Sequence, residues 1–207
     1  TFKEESLDAT FCSNRVALAY QKRKANGYEI TDTSAFRLIH GEGDQLPGLV
    51  IDIYARHVIV QCHTTGMFKA RKCIKTGLLD TFGDQIRTIY LKSKATLPKQ
   101  FAMSMEDEYL HGEHSKGQVD IIENGCKYHV NWEQGQKTGF FLDQRVNREI
   151  LGQFAKGKSV LNTFCYSGGF SIQALISGAE KVCSVDVSAK AIDLLEQHIS
   201  LNDIDAS

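Results

Sequence analysis

The stretch Lys158-Ser-Val-Leu-Asn-Thr-Phe-Cys-Tyr-Ser-Gly-Gly-Phe170 indicates the fold class of this 207-residue chain. It opens like a buried strand, and the glycine turn at 165–169 leads into a short helix over 170–177. A second strand at 181–186 ends in an acid, and Ser188 can cap the helix that follows. Strand, glycine turn, helix, strand and helix in this order open a doubly wound α/β domain.

The glycine turn and the terminal acid favour a nucleoside-bearing cofactor. Gly168 and Gly169 let a ligand approach the backbone because no Cβ intervenes. Asp186, 18 residues beyond Gly168, can accept both ribose hydroxyl protons. The alternative is a tight turn followed by a surface acid, which the strand placement disfavours. Neither a Gly-x-Gly-x-x-Gly pattern nor a Gly-Lys-Ser/Thr phosphate loop occurs, so S-adenosylmethionine, which has no phosphates, is favoured over NAD.

The length of 207 residues indicates one large domain or two small ones. The chain has 24 Lys and Arg against 25 Asp and Glu, a formal net charge of −1 that argues against a wholly basic nucleic-acid binder. No apolar run approaches the ~20 residues of a membrane span, and no signal segment is present, so we expect no membrane partner and a cytoplasmic protein. Because the chain begins with Thr1 rather than Met, we expect an excerpt of a longer protein.

The cysteines and histidines show no metal-binding pattern. None of the 6 cysteines lies two to four residues from another, which excludes the zinc-ribbon and thioredoxin spacings. An even number permits disulfides, but we expect reduced thiols. His111 and His114 could serve a metal ion, but no third ligand cluster accompanies them, so no metal site is expected.

The first half of the chain has the periodicity of a small α+β unit. A helix over 6–25 precedes three strands between 35 and 63, and a helix over 66–82, capped by Thr65, precedes a strand over 86–91.

A hairpin and a helix are predicted next. Asn124-Gly125 joins alternating segments at 118–122 and 126–132, which is a strong hairpin signal. A helix is then predicted over 143–155. Its apolar stripe consists of Val146, Ile150 and Phe154.

Charge is unevenly distributed along the chain. Residues 66–100 carry eight Lys or Arg against two Asp, whereas residues 106–123 carry six acids against Lys116. The basic segment is a candidate phosphate-facing surface, and the alternative is a solvated helix face with a loop.

Three long blocks of sequence match a known family in family order. They are Arg37-Leu-Ile-His-Gly-Glu-Gly-Asp-Gln-Leu-Pro-Gly-Leu-Val-Ile-Asp52, Gly135-Gln-Lys-Thr-Gly-Phe-Phe-Leu-Asp-Gln-Arg145 and Val160-Leu-Asn-Thr-Phe-Cys-Tyr-Ser-Gly-Gly-Phe170. On these residues the chain resembles the RlmI-type ribosomal RNA cytosine-5 methyltransferases of bacteria, a class I S-adenosylmethionine-dependent group.

The resemblance implies a three-part α/β protein. An N-terminal PUA RNA-binding domain would be missing here, a small α+β central domain would follow, and a Rossmann-like class I methyltransferase domain would come last. Residues 1–30 would be a helical linker, residues 31–130 the central domain, and residues 131–207 the first half of the methyltransferase domain. We therefore expect a fragment that lacks the catalytic half.

The resemblance also implies a cofactor site. Asp186 would hold the ribose, the turn after the first strand would line the cofactor, and residues 137–145 would close over the methionine end. The implied S-adenosylmethionine-binding residues are Lys137, Thr138, Gln144, Arg145, Asn162, Thr163, Phe164, Tyr166, Ser167, Gly168 and Asp186. Arg145 suits a carboxylate because a guanidinium can pair with it bidentately, and its alternative role is a helix-surface ion pair.

The implied reaction forms 5-methylcytosine in large-subunit (23S) ribosomal RNA, on a base that is unpaired or flipped from its stack. In the family, a Cys thiolate adds to C6, C5 takes the methyl group, and a base removes the C5 proton. We expect that cysteine beyond residue 207. Cys165 lies in the cofactor turn and resembles a structural position, and Cys183 is expected to be buried and inert.

Other functions stay open at this point. An enzyme of the same fold could act on another acceptor, such as a guanine nitrogen of ribosomal RNA, which needs no cysteine nucleophile. A non-catalytic module could bind RNA through the basic segment, and an NAD-dependent oxidoreductase is a third alternative. A homodimer is also left open.

Overall fold

The computed structural model describes residues 8–28, 34–112 and 116–205, which fall into two compact units. The first unit comprises Thr1–Gln118 and Asn131–Phe140, and the second comprises Val119–Val130 and Phe141–Ser207. This division differs from the predicted boundary between residues 130 and 131, because the hairpin before that boundary groups with the second unit and the loop after it groups with the first.

The first unit is built on a five-stranded sheet with the order β1-β2-β3-β4-β5. Its strands are β1 (Ala35–His40), β2 (Leu49–Tyr54), β3 (His57–Cys62), β4 (Thr88–Leu91) and β5 (Glu108–His111). β3 and β4 are parallel, and the other neighbours are antiparallel. The first four strands confirm the prediction. β5 has no predicted counterpart, because its four residues show no apolar alternation.

The described helices of this unit are α1 (Ala9–Ala25), α2 (Thr65–Lys69), α3 (Arg71–Phe82) and α4 (Lys99–Ala102). The single helix predicted over 66–82 is wrong, because the chain breaks at Ala70 into α2 and α3. The predicted cap is displaced by one residue, since Thr64 rather than Thr65 accepts the Met67 N–H, at 3.3 Å.

Helix α1 contributes directly to the core of the first unit. Its residues Cys12, Val16 and Ala19 are buried in one apolar cluster with the sheet and α3. The helix of the expected linker thus packs into this unit. The first residues of that prediction, 6 and 7, lie outside the described residues.

Helices α1 and α3 touch through their backbones at Gly77. A Cβ atom at Gly77 would lie 2.8 Å from the carbonyl group of Cys12. The close crossing brings Cys12 and Cys73, 61 residues apart in sequence, into a disulfide with Cα atoms 5.9 Å apart. The expectation of reduced thiols is therefore wrong for this pair. Sequence spacing could not reveal it, because the bond depends on a tertiary contact.

The second unit contains two small sheets. Its elements are β6 (Gln118–Glu123), β7 (Cys126–Asn131), α5 (Arg145–Ala155), β8 (Ser159–Thr163), α6 (Gly169–Ile176), β9 (Lys181–Val185) and α7 (Ala189–Leu201). β6 pairs with β7, and β8 is parallel to β9. The predicted hairpin is confirmed, since Asn124 and Gly125 both have positive φ, 50° and 78°, as a type I′ turn requires. Among the described helices of either unit, none is long and apolar enough to cross a membrane.

The β8–β9 sheet is covered on one face only. Asn162 of β8 and Ser184 of β9 both contact Ser171 of α6, which lies on that face. On the other face Leu161 is 67% exposed, and its pairing partner Cys183 is exposed as well. The prediction of a buried Cys183 is therefore wrong, because no described element covers this side of the strand.

The apolar stripe predicted on α5 is exposed. Val146, Ile150 and Phe154 are 55%, 45% and 71% exposed. The buried residues of this helix are Arg148 and Ala155. The buried side of this helix thus carries a charged residue that is paired with Glu123, which the periodicity of apolar residues alone could not indicate.

Candidate cofactor site

The turn between β8 and α6 has a strained backbone. Phe164, Tyr166 and Gly168 have φ values of 56°, 47° and 73°, so every second residue of this turn is left-handed. Such conformations cost about 1–3 kcal/mol each for residues other than glycine, and they cluster at ligand sites. Backbone that alternates in this way directs N–H groups into a concavity that suits polar ligand atoms.

Gly168 is required here by both conformation and space. It caps α6 in the left-handed region, and a Cβ atom at this position would collide with Cδ1 of Leu195 on α7. The sequence predicted a close approach of a ligand at this glycine. A Cβ atom at this position would instead meet helix α7 of the same unit.

Asp186 joins this turn to the end of β9. Its Oδ2 accepts the Tyr166 N–H and its Oδ1 accepts the Ser188 N–H, both at 2.9 Å. These backbone N–H groups lower the pKa of Asp186, so the carboxylate is ionised at neutral pH. A carboxylate oxygen can accept more than one hydrogen bond. The arrangement therefore fits the two hydroxyls of a ribose.

A polar ladder supports the site beneath the turn. The Asn162 Nδ2 donates to the Ser171 Oγ at 2.8 Å, and that hydroxyl lies 2.7 Å from the Ser184 Oγ. These bonds connect β8, α6 and β9. The side chain of Asn162, an expected cofactor ligand, thus also braces the strands against the helix.

The other turn residues of the prediction have different surroundings. Thr163 is exposed, and Phe164 is 87% exposed. The Tyr166 ring meets the Phe141 ring edge-on, with centroids 5.3 Å apart. Ser167 is buried, and its carbonyl oxygen lies 2.7 Å from Nδ1 of a histidine on α7.

Arg145 and Gln144 lie at the start of α5. The Arg145 Nε donates to Glu123 Oε2 at 3.2 Å, and Arg148 binds Glu123 Oε1 at 2.7 Å. The Gln144 Oε1 accepts from the Asn147 Nδ2 at 2.9 Å. The alternative role considered for Arg145 was an ion pair on the helix surface. Arg145 does make an ion pair, but its partner is the buried carboxylate of Glu123 on β6. Its contact with a methionine carboxylate stays a prediction.

Lys137 and Thr138 belong to the first unit. Thr138 is fully buried, and its Oγ1 donates to Asp52 Oδ2 at 2.6 Å and accepts from the Tyr54 hydroxyl at 2.9 Å. Arg37 pairs bidentately with the same Asp52, at 2.8 and 2.9 Å. Burial, followed by the Asp52 charge, raises the pKa of Tyr54. The Thr138 hydroxyl thus anchors its loop to β2, whereas Lys137 is exposed.

Comparison with known proteins identifies the family to which this arrangement belongs. Residues 83–206 match the model of the S-adenosylmethionine-dependent methyltransferases. This chain belongs to that family. The α/β fold class and the cofactor S-adenosylmethionine, both predicted from the sequence, are confirmed for this methyltransferase chain.

The sequence relatives confirm the resemblance to ribosomal RNA methyltransferases. The chain is 39% identical over 205 residues to the Ribosomal RNA large subunit methyltransferase I of Pseudoalteromonas atlantica, covering 99% of this chain and 51% of that protein. The corresponding protein of Shewanella amazonensis is 38% identical over 200 residues, covering 97% of this chain and 50% of that protein. The chain therefore spans about half the length of the curated relatives it matches.

Solved structures agree with the fold. A protein from Streptococcus mutans, described as a SAM-dependent methyltransferase, is 30% identical with a TM-score of 0.85, over 98% of this chain and 51% of that one. A structure of SMU.776, described as a methyltransferase complexed with SAH, is 30% identical with a TM-score of 0.84 and the same coverage.

The cysteines of the second unit of this methyltransferase chain differ in exposure. Cys165 is buried, and burial together with Asp186 raises the pKa of its thiol, as expected of an unreactive position. Cys183 is exposed. Over the described residues, no group of three or more His, Cys, Asp or Glu is placed to hold a metal, and His114 lies outside them.

Sequence reasoning missed two buried polar contacts of this unit. One is the ion pair of Arg148 with Glu123, whose residues are 2% and 3% exposed. The other is His198, which is fully buried behind the turn. The sequence offered one signal, a histidine within the apolar face of α7 that carries Ile192, Leu195 and Ile199, but a satisfied core histidine is the ordinary interpretation of that pattern.

Proposed function

We propose that the protein containing this chain transfers a methyl group from S-adenosylmethionine to C5 of a cytosine in large-subunit ribosomal RNA. The observation that carries the proposal is the strained turn over 164–168, tied by the Tyr166 N–H to the carboxylate of Asp186. Relatives named as large-subunit ribosomal RNA methyltransferases support the substrate. A cytoplasmic location follows from that substrate, and a homodimer stays a prediction.

The chain's own residues would bind and orient the cofactor. Asp186 would accept hydrogen bonds from the ribose, and backbone N–H groups of the turn would bind other polar atoms. When bound, S-adenosylmethionine supplies a methyl group on a positively charged sulfur. The remaining proposed ligands are Lys137, Thr138, Gln144, Arg145, Asn162, Thr163, Phe164, Tyr166, Ser167 and Gly168.

A calorimetric titration tests the cofactor site. We expect S-adenosylhomocysteine to bind the intact protein that contains this chain, and Asp186→Ala to weaken that binding at least ten-fold, because the variant loses hydrogen bonds to a charged group. Asp186→Asn is the matched variant, since it keeps the shape but loses the charge, and it should lie between the two. If the intact wild-type protein does not bind, or if Asp186→Ala binds equally well, the proposed cofactor site is wrong.

The methylated atom is decided by product analysis. Cytosine C5 needs a thiolate nucleophile, whereas a guanine nitrogen does not. The intact protein, incubated with unmodified large-subunit RNA and S-adenosylmethionine, should yield 5-methylcytidine after digestion to nucleosides and mass spectrometry. Methylguanosine would instead support the second candidate, an enzyme with a guanine acceptor.

A basic groove in the first unit is the proposed RNA contact. The groove, of about 380 Å³, lies between α3 and β5 and is lined by Arg71, Lys72 and Lys75 on one side and by Glu108 on the other. Arg71 is held in place, since its Nε donates to Glu108 at 3.1 Å and its guanidinium lies 4.2 Å from the centre of the Phe68 ring.

The charges on α3 favour an anionic ligand. Arg71, Lys72 and Lys75 occupy the first turns of α3, where no acid is present and where the helix dipole disfavours cations. Over the described residues, Lys72 and Lys75 have no ion-pair partner. RNA phosphates bound in the groove would pair with these positive charges and so offset their unfavourable interaction with the helix dipole.

Salt-dependent RNA binding tests the groove. The double variant Lys72→Glu/Lys75→Glu should reduce the slope of log affinity against log salt concentration by about 2, since each phosphate contact contributes about one unit. Lys99→Glu is the control, because Lys99 belongs to the basic segment but does not line the groove. Because Lys99→Glu changes the net charge half as much as the double variant does, a loss half as large in Lys99→Glu would assign the binding to overall charge. RNA binding by a wild-type chain that fails to bind S-adenosylhomocysteine would favour the non-catalytic module.

A further inference from the structure

A buried histidine connects the cofactor turn to the β6–β7 hairpin. His198 lies in the last turn of α7 and is 0% exposed. Its Nδ1 is 2.7 Å from the carbonyl oxygen of Ser167, and its Nε2 is 2.8 Å from the backbone nitrogen of His129 on β7. A carbonyl accepts and an N–H donates, so these partners assign the neutral ring with hydrogen on Nδ1 and a lone pair on Nε2.

The other contact of this ring is longer and makes no hydrogen bond in that assignment. The Nε2 also lies 3.1 Å from the His129 carbonyl oxygen, but a nitrogen that already accepts an N–H has no hydrogen to donate to it. A proton added from solvent would go to Nε2 and remove its acceptor lone pair. Protonation would therefore replace the bond from the His129 N–H by one from Nε2–H to the His129 carbonyl oxygen, and the Nδ1–H bond to Ser167 would persist.

The surroundings keep the ring neutral. Burial lowers the pKa of His198, and the nearby His129 lowers it further, whereas Asp120 on β6 and the backbone carbonyls of Ser167 and His129 oppose this. The His129 side chain pairs with Asp120 at 2.7 Å, and the edge of the Tyr128 ring meets the His198 ring with centroids 5.4 Å apart.

Three consecutive residues, Ser167 to Gly169, are each contacted by a side chain of α7 or β7. Ser167 accepts from His198, Gly168 lies against Leu195, and the Gly169 carbonyl accepts from the Tyr128 hydroxyl at 3.1 Å. With both carbonyls occupied, the peptide planes of a strained turn have no freedom to relax. A turn prepared in this way loses little entropy when a ligand binds.

We propose that neutral His198 is a positioning residue of the cofactor site, which holds the Ser167 peptide in the conformation that binds S-adenosylmethionine. It acts through the turn and does not touch the cofactor. The inference rests on the proposed function for the identity of the ligand, but the bonds made by His198 can be tested without any ligand.

Calorimetry with S-adenosylhomocysteine at pH 7 tests the proposal. His198→Phe fills the site without polar atoms, so we expect about ten-fold weaker binding than in the wild type. His198→Asn places an amide donor near the Nδ1 position and should recover part of the affinity. His129→Gln is the control, because it removes the neighbouring imidazole and keeps the backbone N–H that His198 accepts. Wild-type affinity in His198→Phe, or no recovery in His198→Asn, would overturn the proposal.

Nitrogen-15 spectra of the imidazoles provide a second measurement. It uses the wild-type chain and therefore does not depend on whether a variant folds. We expect the His198 signal of the neutral Nδ1–H form at pH 7, and the Gly168 amide signal should shift with the His198 titration. A charged ring or the Nε2–H form at pH 7 would refute the proposed role. A chain that shows the expected spectra but no S-adenosylhomocysteine binding would instead contradict the proposed function.

Discussion

The five-stranded sheet of the first unit and the β8–β9 sheet of the second differ in how they are covered. Every residue of β3 is buried, and one apolar cluster joins the sheet to α1 and α3. In β8 and β9, alternate residues are exposed. Buried apolar side chains thus enclose the first sheet, whereas the β8–β9 sheet is covered on one face only.

Polar side chains connect elements of the second unit that lie far apart in sequence. Arg148 joins α5 to Glu123 of β6 through a buried ion pair. Asn202, after α7, accepts the Lys127 N–H and donates to the Lys127 carbonyl, both at 2.7 Å. An apolar core tolerates a substitution of similar volume. A buried polar contact, by contrast, is lost when a single donor or acceptor atom is replaced. The two units should therefore respond differently to conservative substitutions.

The largest effect is expected at the ion pair of the second unit. Glu123→Ala leaves Arg148 as a buried charge without its partner and should lower the free energy of unfolding by about 3–5 kcal/mol. Hydrogen exchange of the amides in β6, β7 and α7 measures it. The double variant Glu123→Leu/Arg148→Met should recover much of the loss. A cost below about 1 kcal/mol for Glu123→Ala would contradict the role given to polar contacts.

A similar but smaller loss is expected from a cavity in the first unit. Leu78 of α3 is 0% exposed, so Leu78→Ala should cost about 3 kcal/mol. The chain has a single tryptophan, Trp132, buried in the first unit, and its fluorescence during urea unfolding reports on this unit. Leu78→Met is the matched control and should cost less than about 1.5 kcal/mol. Equal losses in both variants would contradict the tolerance expected of an apolar core.

Acid should destabilise the first unit through His57. Burial first, and then Arg87 and Arg56, lower its pKa from 6.5 to about 4. The unfolded ring therefore binds a proton before the folded one. The contribution of His57 to the free energy of unfolding is fully present above pH ~6.5. It decreases by up to about 2–3 kcal/mol as the pH falls towards 4. Unfolding monitored at Trp132 should lose this pH dependence in His57→Gln, and an unchanged profile would show that another group is responsible.

The smallest difference is expected between two glycines with open space at their Cβ positions. Gly125 of the hairpin has a φ of +78°, whereas Gly43 of the first unit has no positive φ. Gly125→Ala should cost about 1 kcal/mol, because alanine is strained there. Gly43→Ala should be neutral or slightly stabilising. Thermal unfolding of both variants measures the difference. Equal effects would contradict the prediction that backbone strain makes Gly125→Ala the more costly substitution.

Much of the fold could be predicted because its signals are local. Period-two apolar runs located β1 to β4, Asn124-Gly125 located the hairpin, and Ser188 caps α7 as expected, accepting the Ala191 N–H at 3.4 Å. The errors have tertiary causes. The apolar stripe of α5 is exposed while Arg148 is buried in an ion pair, and the disulfide of Cys12 depends on a helix crossing.

The candidate site could be predicted in part. The glycine turn, the short helix and Asp186 could be recognised because their order along the chain is itself typical of a doubly wound α/β domain. Hydrogen bonds from Thr138 to Asp52 and from His198 to Ser167 were not, because each joins residues that are distant in sequence and of types that serve many purposes. Polar contacts over such separations follow no periodicity.

The interleaved connection of the two units has a consequence for synthesis on the ribosome. Residues 119–130 of the second unit are made before residues 131–140, which complete the first. At about 5–20 residues per second, the hairpin then waits several seconds for α7 to be made. During that interval the backbone groups of His129 and Lys127 lack the side chains that will bind them. A translational pause before residue 198 would therefore prolong the interval in which the hairpin lacks these hydrogen bonds.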